Sequence, residues 1–172
     1  MLEGNALTIA ATVQPLPFTE DDPLYRDLEI MMQRLGHLVA FREKFQWEER
    51  VERFELGDEN DLRKLKKCAA KNDGVPLFWA RLTKNTVYRH LLFHPNNEGF
   101  YLPVRFDDPF TITAGGKNVW FGSSVRLGEE LKWLEMSMNH NNDESLIECW
   151  RAFRELCQCS VERMCPIQLE HT

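Results

Sequence analysis

Two apolar stripes late in the chain constrain the fold most. Leu127, Leu131, Leu134 and Met138 recur at spacings of four, three and four, and Leu146, Trp150, Phe153 and Cys157 repeat that pattern after the polar loop "NHNND". This period is one face of an α-helix, so each run predicts a helix with a single buried side. Ser123 or Ser124 can cap the first helix, and Asn142 or Asp143 the second. A connection this short makes the two helices antiparallel neighbours. The rest of the chain must supply the layer they pack on.

Strand signals lie in the middle of the chain. "TVYRHLLF" and "GFYLPVRF" flank "HPNNE", where proline forbids continuation and asparagine tolerates turn dihedrals. With Phe93 opposite Phe100, alternation gathers Val87, Leu91, Phe93, Phe100, Leu102, Val104 and Phe106 on one face, broken only by Arg89. Tyr88, His90, Leu92, Tyr101 and Arg105 fall on the other. The pattern predicts a hairpin over residues 87–106. "FTIT" and "NVWF" around "AGGK" predict a second over residues 110–121, its glycines supplying the positive φ of a tight turn. "LTIAATV" reads as an edge strand ended by Pro15 and Pro17.

Helices fill the remainder. Asp22 can cap a first one, with Pro23 at a position where a missing N–H costs nothing. Its stripe is Leu24, Leu28, Met31, Leu35 and Leu38, with Gly36 as a break before a second helix in "HLVAFREKFQW". Leu62, Leu65 and Ala69 mark another helix that stops at Gly74. Residues 75–83 read equally as helix or strand. The expected fold is α+β: an antiparallel sheet of about four strands, packed with four to six helices and ending in an antiparallel helix pair. Its 172 residues suit one domain, residues 1–172.

Charge narrows the partners. Asp and Glu number 27 against 21 Lys and Arg, a net charge of −6. Phosphate binding needs cations that replace counterions, so no nucleic-acid partner is expected. The basic run "RKLKK" at 63–67 is diluted by the preceding "DEND" and reads as a solvated helix face. No run reaches the ~18 apolar residues of a membrane span. The five cysteines do not form a disulfide framework, and the N-terminus lacks the basic start of a secretory signal. A cytoplasmic protein with reduced thiols is the expectation.

No catalytic motif is intact. On a strand, His90 and His94 stand ~13 Å apart, too far to share a metal. Cys157 and Cys159, with Cys149 and Cys165 nearby, lack zinc-site spacing, so no metal or cofactor is expected. Ser123 and Ser124 lie outside any G-x-S-x-G elbow. The acidic pairs Asp107–Asp108 and Glu129–Glu130 read as solvated surface. Tyr88, His90, Tyr101 and Arg105 remain as a candidate partner-binding face, rich in residue types that carry interface energy. The expected role is a non-enzymatic domain that binds another protein, such as an acidic inhibitor of a basic partner (immunity- or antitoxin-like). The competing expectation is a metal-dependent hydrolase around His90, His94, Glu98 and Asp107.

Overall fold

The computed structural model describes residues 7–37 and 51–171. In chain order the elements are β1 (Thr8–Val13), α1 (Pro23–Arg34), β2 (Glu52–Asp58), α2 (Glu59–Asn72), α3 (Leu77–Thr83), α4 (Arg89–Phe93), β3 (Gly99–Leu102), β4 (Phe110–Ala114), β5 (Lys117–Ser123), α5 (Ser124–Trp133), α6 (Glu135–Asn139), α7 (Glu144–Arg163) and β6 (Ile167–His171). The fold is α+β, built on a six-stranded sheet of order β2-β1-β6-β3-β5-β4. Every neighbouring pair is antiparallel except β3 and β5, so the sheet is mixed.

Side chains alternate across the strands and feed two separate cores. Ile9, Ala11, Val13, Leu56, Tyr101, Ile167 and Leu169 face α2, α5 and α7, meeting Leu65, Leu131 and Phe153. On the opposite face α1 lays Leu24, Leu28 and Met32 over Phe100, Leu102, Ile112 and Phe121. Phe110, Phe121 and Phe100 occupy successive strands in register, and their rings stack with centroids 5.5 Å apart at each step. Burying each such side chain contributes about 1.5–3 kcal/mol.

Local signals hold in many places. Asp22 accepts the Leu24 N–H at 2.9 Å, and Ser123 and Asp143 cap α5 and α7. The 110–121 hairpin forms, with Gly115 and Gly116 at φ 57° and 76° between the paired Ala114 and Lys117. α5 and α7 run antiparallel: Ser124 meets Ser160 at 2.8 Å, and the Trp150 indole N–H donates to the Leu131 carbonyl at 2.7 Å. Residues 77–83 are helix, begun after Pro76.

The hairpin over 87–106 does not form. Residues 89–93 coil into α4, and β3 pairs with β5 and β6 instead of with them. The reason is tertiary. α4 has no capping side chain of its own, and its N–H groups at His90 and Leu91 donate to the Glu130 carboxylate of α5, at 3.1 and 3.0 Å. Those are donors that a helix start leaves unpaired. Other corrections follow the sheet. β1 lies inside it, between β2 and β6. The chain continues past the helix pair into β6, turned there by Met164 at φ 51° in the left-handed region. The sheet has six strands rather than four, and seven helices are described rather than four to six. Along α1 the buried row is Leu24, Tyr25, Leu28 and Met32, while Leu35 is exposed. The helix expected in "HLVAFREKFQW" falls almost wholly outside the described residues.

Candidate functional site

The histidines of the "YRHLLFHPNNE" stretch are structural. His90 accepts the Ser123 N–H at Nδ1 and donates from Nε2 to the Phe106 and Asp107 carbonyls, each contact 3.0 Å. His94 accepts the Asn96 N–H at 3.0 Å and donates to the Phe100 carbonyl at 3.2 Å. Both nitrogens of each ring are occupied. Burial holds the His90 pKa down at about 4 and His94 well below its ordinary value, so both rings are neutral at pH 7. Glu98 and Asp107 are exposed, and among the described residues no three His, Cys, Asp or Glu side chains gather as a metal site.

The four residues of the candidate partner face do not share an accessible surface. Tyr88, His90 and Tyr101 are buried; only Arg105 is exposed, paired with Glu129. The Tyr101 hydroxyl donates to Asn96 Oδ1, and the Tyr88 hydroxyl accepts from the Asn72 amide. Ser123 and Ser124 are buried as well, their hydroxyls donating to the Val104 and Leu102 carbonyls. All five cysteines are free thiols, and burial pushes Cys149 up to about 12 and Cys157 further.

The surface feature that stands out is an acidic edge. Residues 52–61, "ERFELGDEND", carry five carboxylates and one cation. They form β2, the outermost strand on its side of the sheet, and the first turn of α2. Charge on an edge strand also discourages pairing with another chain. Side-chain contacts draw further carboxylates to this edge. Ser145 donates to Asp61 at 2.8 Å, and Lys64 bridges Asp61 and Asp143 at 3.9 and 2.9 Å, which seats the start of α7 against α2. Lys64 holds the Asp143 carboxyl down at about 2, so it stays ionised. Asn97 donates to Glu59 at 2.6 Å, placing the loop of Glu98 beside it. From there α7 extends with Glu144, Glu148, Glu155 and Glu162 all exposed. The last three repeat every seven residues, ~10.5 Å along the axis at ~1.5 Å per residue. Arg163 pairs with Glu52 across the far end, and Arg53 pairs with Glu55 and Glu170.

A family model described as "Putative DNA-mimic protein" matches residues 6–171. The chain belongs to that family. No curated protein and no solved structure matches it. Membership in this DNA-mimic family overturns three expectations. The immunity- or antitoxin-like inhibitor gives way to a family described by its likeness to DNA. So does the metal-dependent hydrolase at His90, His94, Glu98 and Asp107. The exclusion of nucleic acid is corrected as well, because the family is described by mimicry of DNA. The carboxylate density of "ERFELGDEND" is legible in the sequence, where "DEND" by itself reads only as diluting the basic run that follows.

Proposed function

We propose that the chain is a DNA mimic whose acidic edge occupies the DNA-binding surface of a basic protein. The observation that carries this reading is the excess of carboxylates from β2 through the start of α2 to the exposed Glu144, Glu148, Glu155 and Glu162 of α7, with Arg53, Lys64, Arg151 and Arg163 the cations among them. Family membership supports a DNA-binding protein as the class of partner. Along one DNA strand a phosphate recurs every ~3.4 Å of axis, so two turns of helix span about three phosphate steps. Glu148, Glu155 and Glu162 therefore stand at every third position of such a row, with Arg151 between the first two, and the β2–α2 corner adds a second group of charges. A protein whose Lys and Arg side chains line a DNA groove would find carboxylates to pair with in the same sense, though without base edges. Recognition rests on charge layout and shape and not on sequence.

The test is competition. Host proteins retained on immobilised double-stranded DNA are challenged with the chain, then with a Glu55→Gln, Glu144→Gln, Glu148→Gln, Glu155→Gln variant. The wild type is expected to displace a defined DNA-binding protein and the variant to displace it at least about tenfold less well, since each charged contact is worth ~1 kcal/mol or more. Equal displacement by both would remove the acidic edge as the mimicking surface. No displacement by either would remove the mimicry itself.

A further inference from the structure

Within this acidic molecule four cations converge on one cleft. Lys66 of α2, Arg81 of α3, Lys84 just beyond it and Arg89 of α4 line a cavity of about 600 Å³, against the single carboxylate of Asp108. A volume of this size suits a small ligand. Only Arg89 is neutralised there. Asp108 pairs with Arg89 at 2.9 Å, while Arg81 and Lys84 have no carboxylate partner among the described residues. Lys66 is buried, its ammonium donating to the His94 and Pro95 carbonyls at 3.0 and 3.3 Å. Burial, reinforced by the charge of Arg81, lowers its pKa to about 8. An anion in the cleft would offset the repulsion from Arg81.

The remaining wall is aromatic. Trp120 and Phe93 line the same cavity, and Trp120 is set edge-on against the buried His94 ring, centroids 5.9 Å apart. A flat indole beside cations is the pairing that receives a ring and a phosphate together. We infer that this cleft binds a small phosphorylated ligand carrying a flat ring, of the mononucleotide class, with its phosphate at Arg81 and Lys84 and its ring on Trp120. The site is independent of the proposed mimicry: its charge is of the opposite sign, and none of its lining residues belongs to the acidic edge.

Calorimetric titration of the full chain with adenosine monophosphate, adenosine and inorganic phosphate separates the two halves of the ligand. Adenosine monophosphate is expected to saturate one site below about 1 mM and to bind at least about tenfold more tightly than either fragment. A variant with Arg81→Gln and Lys84→Asn changes only exposed side chains and is expected to lose about tenfold or more. Trp120→Leu should weaken adenosine monophosphate while leaving inorganic phosphate as it was. The inference is overturned if adenosine monophosphate does not saturate a site, if it binds no better than phosphate, or if the Arg81 and Lys84 variant binds like the wild type.

Discussion

Glu130 is the residue on which the middle of the molecule turns. It is buried on α5, and its two carboxylate oxygens accept the first free N–H groups of α4. Burial outweighs those bonds and the charge of Arg126, raising its pKa from 4.5 to about 8. The folded state therefore holds an extra proton between those values, and stability falls as pH rises through them. His90, lowered from 6.5 to about 4, works in the opposite sense but only below pH 6.5, and His94 shares its direction. Lys66, lowered to about 8, adds stability only from there upward. Between pH 6.5 and 8 the Glu130 effect stands nearly alone, a loss of about 2 kcal/mol. Denaturant curves at the two pH values should show that loss, and Glu130→Gln should flatten it. An equally steep fall in the variant would contradict the assignment. Gly122 makes a second prediction. A Cβ there would lie 2.5 Å from the Tyr101 ring, so Gly122→Ala should cost about 1–3 kcal/mol, read from the urea midpoint.

At the scale of elements, helix ends separate what local sequence can say from what it cannot. The stops at Gly36 and Gly74 are legible because glycine takes φ 89° and 76° freely, and both close the 6→1 bond of a helix end, His37 to Met32 and Val75 to Ala70. α7 ends by the same geometry, with the Cys165 N–H on the Ser160 carbonyl at 3.0 Å, but places Met164 in the left-handed position. In "ERMCPIQ" only Pro166 hints at a helix stop, and no glycine or asparagine marks the left-handed position, so β6 is not legible there. Met164→Gly is expected to raise stability by about 1 kcal/mol by removing the left-handed strain. A loss of stability in thermal unfolding would mean that the Met164 side chain packs for more than the strain costs. Ser123→Ala tests the opposite end of the pair. It removes the α5 cap and the 2.6 Å bond to the Val104 carbonyl, and should destabilise by about 1–2 kcal/mol in the same assay.

For the molecule as a whole, carboxylates outnumber cations along the β2–α7 edge, while four cations meet one carboxylate in the cleft between α2, α3 and α4. If the edge stands in for phosphates, affinity for its partner should fall steeply as salt rises, because exposed charges are screened beyond ~10 Å at 0.1 M ionic strength. Binding measured at two salt concentrations checks this, and a salt-insensitive complex would point to an apolar interface instead. Helix periods, caps and the glycine turn at 115–116 were readable from residues alone, since each depends on neighbours within a few positions. So was the carboxylate density of residues 52–61, as a property of composition. Which strands pair, which histidines are buried and where the cations meet depended on contacts between residues far apart in the chain. Glu130 binding the N–H groups of His90 and Leu91 is the clearest case: a carboxyl group about forty positions away turns an alternating, strand-like run into a helix, because unpaired donors in a core cost more than local preference can offset.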